Sequence, residues 1–313
     1  MFARAQIRRG VPGLRASAHE EVGCRLGVRH GTVVGVRARL LDDLAEFAAL
    51  TRLLLAADPV AHTVALTVIE YALRVPPSVP PVLVAVDGAA AALCTPPRGL
   101  ITSALPPEWS PAVADVLADA HPGLPEVTGP RDRAEAFVLA WSDLTGAVVQ
   151  ERRAMRLFAL GTLTAPSAVP GGVRIATAHD VDLLARWHRA FAEEVGDGLL
   201  AGEDSVAQIR DQMQAGAAHV LWCVDGEPVS HAATRSPVAG MSRIGPVYTP
   251  SEHREHGYAG AVTAAAAAWA LAAGACHVVL FTDLANPVSN SIYPRLGFRP
   301  VHDAVEFDLQ GPP

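Results

Sequence analysis

Two glycines follow a predicted strand and open a long predicted helix. The strand is Ser242–Thr249, the connecting run reads PSEHREHGYAG, and the helix extends to about Ala273. The first turn of a helix has backbone N–H groups without intrahelical partners and carries the positive end of the helix dipole. Because Gly257 and Gly260 have no Cβ, phosphate oxygens could approach the main chain closely. The run is compatible with a pyrophosphate-binding loop, although a tight turn is the commoner explanation when the run is taken alone.

A second pattern follows this helix. The predicted strand Val278–Thr282 ends at Asp283, and Gly297 terminates a short helix before the final predicted strand, Ala304–Leu309. The two segments in this order point to one class of protein more specifically than either segment does alone.

These residues resemble the GNAT superfamily of N-acyltransferases. The family's loop signature is Arg or Gln, two residues, Gly, one residue, then Gly or Ala, and the matching positions are Arg254, Gly257 and Ala259. The positions that match its downstream Asn…Tyr…Gly-Phe pattern are Asn286, Tyr293, Gly297 and Phe298. The resemblance covers about Val173–Leu309. It implies an acetyl-CoA-dependent N-acetyltransferase that needs no metal and transfers the acetyl group to an amine by direct attack in a ternary complex.

The resemblance also implies roles for individual residues. The pantetheine arm would bind along the end of the first strand, at Val247, Tyr248 and Thr249. The pyrophosphate would be wrapped by Arg254, His256, Gly257, Tyr258, Ala259 and Gly260. Asn286 would bond the arm near the thioester, or act only as a helix cap. Tyr293 would protonate the leaving thiolate, which suits a phenol with a pKa near 10, or would be only a core residue.

The general base stays open at this point. An amine must lose a proton as it attacks a thioester, so a carboxylate or an imidazole is expected nearby. The candidates are Glu193 and Glu194 at a helix end, His231 on a strand and Asp283 at a strand end. Each has a structural alternative, as a solvated helix end, a hydrogen-bonded strand residue or a helix cap. We retain Glu194 and Asp283 as the tentative bases.

The N-terminal half repeats part of this pattern. The run PVLVAVDG at 81–88 matches HVLWCVDG at 219–226 in five of eight positions, and both runs follow helices. Duplication of one fold explains the match, although two ordinary Asp-Gly hairpins would also do so. Where the loop would lie, the N-terminal half reads PPEWSP at 106–111, and proline removes backbone donors. We predict that this half does not bind CoA tightly and instead shapes or covers the acceptor site.

The patterning predicts two tandem GNAT-like domains of the α/β (α+β) class, at residues 41–165 and 173–313. Each would be a mixed, mostly antiparallel sheet flanked by helices. The run TLTAPSAVPGG at 162–172 is the predicted linker. Residues 1–40 carry eight arginines against two glutamates and are expected to be a disordered or mis-started extension, with a basic arm or transit-like segment as the alternative.

Composition excludes several classes of function. The net charge is −7, and the first 40 residues contribute +6, so the remainder carries −13 and is a poor match for nucleic acid. All 25 basic residues are arginine, which rules out Schiff-base and Walker-lysine chemistry. No membrane span is expected. The scattered cysteines, with Cys223 and Cys276 in segments that look buried, favour reduced thiols and the cytoplasm. The strong Ala, Gly, Pro and Val bias favours a bacterial source.

The partner that these observations favour is a small-molecule or peptide amine acceptor, with the chain acting as a monomer or homodimer. His253 and His256 form an H-x-x-H pair without a third ligand, so we predict no metal site. Two alternatives remain: a non-catalytic acyl-CoA-binding or sensing module, and, within the enzyme class, a mycothiol-synthase-like enzyme with an amino-sugar acceptor.

Overall fold

The chain builds the same succession of elements twice. The computed structural model describes residues 37–86, 88–198 and 204–311. The elements of the N-terminal half are β1 Ala38–Leu41, α1 Leu44–Ala57, α2 Thr63–Arg74, β2 Val82–Val86, β3 Ala90–Cys94, β4 Leu100–Ala104, α3 Ser110–Ala120, β5 Glu126–Pro130, α4 Arg131–Thr145 and β6 Val148–Leu160. Those of the C-terminal half are β7 Gly172–Ile175, α5 Val181–Glu194, α6 Ser205–Gln214, β8 Ala218–Val224, β9 Glu227–Thr234, β10 Met241–Tyr248, α7 Tyr258–Ala272, β11 His277–Asp283, α8 Pro287–Arg295 and β12 Phe298–Gln310.

One sheet of twelve strands connects the two halves, in the order β1-β2-β3-β4-β5-β12-β6-β11-β10-β9-β8-β7. Among the described strands, β4–β5 and β10–β11 are parallel pairs and the other neighbours are antiparallel. The expected mixed, mostly antiparallel sheet in two tandem copies is confirmed.

The two halves exchange their last strands. Strand β12 lies between β5 and β6, and β6 lies between β12 and β11. The β6–β12 pair extends from the Phe298–Leu160 pairing to the Gln310–Val148 pairing and joins the halves along its length. The segment predicted as a linker connects β6 to β7, so the chain passes there from one half to the other. The division into residues 41–165 and 173–313 stays a prediction.

Helices cover both faces of the sheet. On one face α1 and α2 pack over the N-terminal strands, and their apolar cluster extends to Met241 and Val279 of β10 and β11. On the same face α5 and α6 cover β8, where Leu221 contacts Leu184 and Ile209. On the other face, the alanines of α7 pack against β10 and β11. Alanine lets this helix approach the sheet closely. The helix is buried on most of its sides, and its residues are therefore apolar nearly all round.

Some of the sequence-based expectations need correction. Residues 38–40 belong to β1, which pairs with β2, so the fold begins before the predicted boundary at 41; residues 1–36 lie outside the described residues. Cys276 is exposed in the turn before β11, and Cys223 is half-buried near the end of β8, so neither thiol is buried as the surrounding apolar segments suggested. None of the helices in the described ranges is long and apolar enough to cross a membrane.

The turns and caps of the C-terminal half follow the sequence closely. Asp225 and Gly226 have φ of 50° and 88°, as a hairpin turn of the Asp-Gly type requires; Asp87 of the corresponding N-terminal turn lies outside the described residues. The capping box of Thr177 and Asp180 is present, with the Asp180 carboxylate accepting from the Thr177 amide at 2.7 Å. Arg174 forms two hydrogen bonds of 2.8 Å with the same carboxylate.

We predict that Asp180→Asn lowers the free energy of unfolding at pH 7 by about 1 kcal/mol, because it weakens this capping box. The Arg174 guanidinium lowers the pKa of Asp180 to about 2. The stabilisation is therefore present above the ordinary aspartate pKa near 4 and is lost as the pH falls toward 2. Denaturant unfolding at pH 7, 4 and 2 measures it. Asp182→Asn, which removes an exposed charge from the same helical turn, is the control; an equal loss in both variants would contradict the capping role.

Candidate functional site

The parallel strands β10 and β11 separate before either of them ends. Their pairing runs from Met241–His277 to Ile244–Leu280, whereas β10 continues to Tyr248 and β11 to Asp283. At the separation, β10 contains Gly245 and Pro246 and has a bulge against β9. Proline has no N–H to donate to a neighbouring strand. Beyond this point, the described residues of β10 and β11 form no ladder with each other, and the place between the two unpaired strand ends is called the opening below.

Helix α7 begins beside the wide end of this opening. Gly257 is its N-cap residue, with φ of 83°, and no described side chain caps the helix. The first-turn amides at Tyr258, Ala259 and Gly260 are therefore available to an external acceptor. Glu255, with φ of 68°, is a non-glycine residue in the left-handed region, and it turns the chain into this helix. The predicted anion-binding loop is thus formed by uncapped main chain.

The Arg254 side chain binds the protein on two sides. Its Nε donates to the Thr249 carbonyl at 2.9 Å, and its Nη2 lies 2.6 and 2.7 Å from the two carboxylate oxygens of Glu194. The guanidinium thus fixes the loop to the end of β10 and to the end of α5. Arg254 was predicted as a phosphate ligand and Glu194 as a base, and here the two side chains form an ion pair.

The remaining loop and strand residues are held by short-range contacts. His256 Nδ1 lies 2.6 Å from the Arg254 carbonyl, and its ring stacks on Tyr258 with centroids 5.4 Å apart. Ser230 of β9 donates to the Tyr248 carbonyl at 3.2 Å, and its hydroxyl lies 2.8 Å from that of Thr249. These bonds keep the end of β10 attached to β9 while it separates from β11.

Tyr293 of α8 is buried behind the opening. Its ring lies between those of Phe158 and Phe298, with centroid distances of 6.2 and 6.1 Å. Burial raises the pKa of Tyr293 to about 12, although a hydrogen bond with Ser289 opposes the shift. The hydroxyl therefore remains protonated at neutral pH, which is the form that a proton donor needs.

Two asparagines join the end of β11 to α8. Asn286 caps the helix, and its Oδ1 accepts from the Ser289 amide at 3.0 Å. Asn290 was not predicted as a site residue; its Nδ2 donates to the carbonyls of Asp283 and Asn286 at 2.8 and 2.7 Å. The cap interpretation of Asn286 is confirmed, and its role toward the arm stays a prediction.

The carboxylates near the end of β11 differ in their surroundings. Asp283 Oδ1 accepts from the Ala285 amide at 2.7 Å, and Asp283 Oδ2 lies 3.9 Å from Arg153 Nε. Glu306 of β12, which the sequence did not single out, lies 3.8 Å from the same nitrogen and 3.1 Å from Arg152. Burial raises the pKa of Glu306 despite the two arginines. In the sequence, the position of Glu306 between the apolar residues Val305 and Phe307 is the feature that could have indicated a buried carboxylate.

The other candidate bases lie in less suitable places. His231 is fully enclosed, with Nε2 3.0 Å from His219 Nδ1 and the two rings stacked. Burial and the neighbouring His219 keep the pKa of His231 well below its usual range. Glu193 is exposed at the end of α5. The described residues contain no group of three or more His, Cys, Asp or Glu side chains placed to hold a metal ion.

The corresponding opening in the N-terminal half is closed. Strands β4 and β5 pair at Leu100–Val127 and Ile101–Thr128, and the Thr102 hydroxyl then donates to the Thr128 carbonyl at 3.2 Å. The Arg133 guanidinium donates to the Ser103 carbonyl. Helix α3 starts with Pro111 in its first turn, which removes a donor. Side chains of the protein thus occupy the place that is open in the C-terminal half.

Comparisons with known proteins agree with this geometry. The sequence profile of the acetyltransferase (GNAT) family matches residues 184–298, and this segment is a GNAT acetyltransferase domain. No curated protein sequence matches the chain significantly. The family assignment holds for residues 184–298, and the solved structures below show the fold of the rest.

Three solved structures share the fold of most of the chain. A tandem GNAT protein from the clavulanic acid biosynthesis pathway is 16% identical, with 89% of this chain and 99% of that chain covered and a TM-score of 0.58. A GCN5-related N-acetyltransferase from Kribbella flavida is 19% identical, with 80% and 96% covered and a TM-score of 0.55. A GNAT-family acetyltransferase from Colwellia psychrerythraea is 11% identical, with 88% and 100% covered and a TM-score of 0.56.

We predict that Gly257→Ala weakens CoA binding about tenfold or more, equivalent to about 1.4 kcal/mol. The added Cβ would lie 3.3 Å from Val169 Cγ2 at a backbone φ of 83°, and relief of that strain would displace the first-turn amides. Isothermal titration calorimetry with CoA measures the change.

Gly226→Ala is the matched control. Gly226 has φ of 88° but open space around the added methyl, in the β8–β9 turn rather than in the loop before α7. Both substitutions should cost about 1 kcal/mol of stability. If the two variants lost CoA affinity equally, the loss would reflect general destabilisation, and the proposed role of the loop would be wrong.

Proposed function

We propose that the chain is an acetyl-CoA-dependent N-acetyltransferase that transfers an acetyl group to an amine by direct attack in a ternary complex. The observation that carries this proposal is the separation of β10 and β11 beside an uncapped helix N-terminus. An extended amide-containing arm can complete the pairing that the two strands leave unmade. A diphosphate can accept from the open amides of α7.

Acetyl-CoA fits both features. Val247, Tyr248 and Thr249 would hold the pantetheine arm through their backbone groups, and His256 to Gly260 would hold the pyrophosphate through theirs. Arg254 is engaged by Glu194 and Thr249, so its main contribution is to shape the loop. When bound, acetyl-CoA supplies an activated acyl thioester that a neutral amine can attack.

Direct attack is supported by the placement of two of the three described cysteines, Cys94 and Cys276. Cys94 is buried, and desolvation raises the pKa of its thiol to about 12, which makes it a poor nucleophile. Cys276 follows the C-terminus of α7, the end of the helix away from Gly257. A helix of this length spans about 22 Å. Neither thiol is placed to accept an acyl group from the opening.

Proton transfer is assigned to groups around the opening. Tyr293 would give its proton to the departing thiolate, and burial keeps that proton in place until the charge develops. Glu194 and Asp283 stay candidate bases, and Glu194 is engaged in an ion pair with Arg254. Glu306 is a third candidate, because a carboxyl with a raised pKa is the stronger base.

The N-terminal half contributes to the acceptor side in this proposal. Arg98, in the β3–β4 turn, pairs with Asp197 after α5 at 3.0 Å, so the turn approaches the end of the helix that carries Glu194. The acceptor would be a small-molecule or peptide amine. A reduced, cytoplasmic setting fits the free thiols of Cys94, Cys223 and Cys276.

We predict that Tyr293→Phe lowers kcat by about 100-fold or more and leaves the Kd of CoA nearly unchanged. The phenyl ring keeps its contacts with Phe158 and Phe298, whereas the proton donor is lost. Steady-state kinetics with a panel of amines, together with calorimetry, measures both quantities. Unchanged kcat would remove Tyr293 from the mechanism. If neither the parent nor the variant acetylated any amine while CoA bound tightly, the non-catalytic sensing alternative would replace the enzyme.

We predict one CoA per chain, because Thr102 and Arg133 close the N-terminal opening. The stoichiometry from calorimetry on the full chain tests this. The full chain is required, since β12 completes the N-terminal half. A value of two would show that both halves bind the coenzyme.

A further inference from the structure

A cleft lies between the two halves on the sheet face covered by α2 and α6. Its polar walls come from Thr67, Tyr71 and Arg74 of α2, from Gln212 of α6, and from Arg235 and Ser236 after β9. Helix α2 is anchored there by several bonds: Arg74 donates to the Ala215 carbonyl, and Thr63 contacts the Met241 sulfur at 3.0 Å. The cleft is therefore a fixed feature of the junction between the halves.

Arg235 lines this cleft, and Arg243 bonds to its lining residue Thr67; each guanidinium has a buried donor without a partner among the described residues. Arg243 Nη2 donates to the Thr67 hydroxyl at 2.6 Å, but its Nε has no hydrogen-bond partner among the described residues. Arg235 Nη1 is also buried without a described partner. A buried donor that is left unsatisfied costs about 1–3 kcal/mol, and more when the group is charged.

No described carboxylate neutralises this pair. Glu70, the acid that lines the cleft, is already paired with Arg74 at 2.6 Å. Desolvation and the charge of Arg235 lower the pKa of Arg243 to about 9, and desolvation also lowers the pKa of Arg235. Two positive charges are thus removed from water close to each other. This destabilises the folded chain unless an anion binds to them.

The cleft lies close to the opening between β10 and β11. Arg243 pairs with Val279 in the rung directly before Ile244–Leu280, after which the strands separate. Its side chain points to the α2 face, as its bond to Thr67 shows. An anionic group held by Arg243 would therefore be a short distance from the narrow end of the opening.

We propose that Arg235 and Arg243 bind an oxyanion, a carboxylate or a phosphate, that belongs to the acceptor, so that the substrate class is an amine that also carries an acidic group. This assignment rests on the proposed acetyltransferase function. Arginine suits the role because its planar donors match the geometry of both anions.

The first experiment needs no turnover. Inorganic phosphate and acetate are titrated against the full chain, and thermal unfolding is followed at constant ionic strength. Phosphate or acetate should raise the Tm of the parent and not that of Arg235→Gln or Arg243→Gln, because a ligand that binds the folded state stabilises it. Arg210→Gln is the control, since it removes an exposed charge of α6 that lies outside the cleft lining, and it should keep the shift.

The second experiment compares matched amines with acetyl-CoA: phosphoethanolamine with ethanolamine, and β-alanine with propylamine. In each pair, the parent should acetylate the acidic amine with a kcat/KM on the order of 100-fold higher than that of the neutral amine. This factor corresponds to the free energy of two charge-assisted hydrogen bonds. Arg243→Gln and Arg235→Gln should lose most of this preference while keeping the Kd of CoA.

The outcomes separate the two proposals. Anion-dependent stabilisation that both arginine variants lose, together with the preference for acidic amines, supports the assignment. No stabilisation and no preference would overturn it and would leave the arginines as a structural contact between the halves, with acetyl transfer to neutral amines still standing. Stabilisation by phosphate with equal rates for acidic and neutral amines would assign the cleft to a free anion instead. If no amine were acetylated at all, the proposed function would fail, and so would the acceptor assignment.

Discussion

The organisation of the C-terminal half follows from the early end of one parallel ladder. Strands β10 and β11 pair over four rungs and then separate where Gly245 and Pro246 interrupt β10. Backbone groups that no longer pair within the sheet must find partners elsewhere, and an extended ligand is the partner that fits. The bonds from Ser230, Arg254 and Asn290 to main-chain carbonyls hold both strand ends in position around this opening.

The same succession of elements has different outcomes in the two halves. In the N-terminal half a threonine hydroxyl and an arginine occupy the corresponding opening, and proline replaces glycine before the helix. The C-terminal half thus keeps an accessible main chain at this place, and the N-terminal half packs against it and stabilises it. Its helix α2 extends over β10 and supplies Thr67 to the buried Arg243. In the proposed function, this arrangement separates the coenzyme site from the surface that selects the acceptor.

Local signals in the sequence predicted much of this fold. Helix α7 and the Asp225-Gly226 turn depend on neighbouring residues, and they were found where the patterns indicated. Strand β5 was missed, since EVTGP contains the Gly and Pro that usually mark a turn. The Arg254–Glu194 pair and the place of Glu306 could not be predicted, because they depend on contacts between distant segments.

The exchange of last strands has a consequence for biosynthesis. Strand β12 is synthesised after all the other described elements, yet its place is in the middle of the sheet, between β5 and β6. Until it arrives, the edge of β5 has no neighbour on that side, and exposed strand edges invite association with other chains. The sheet can close only after translation has reached Gln310, so a nascent chain that stalls before that point leaves both halves unfinished.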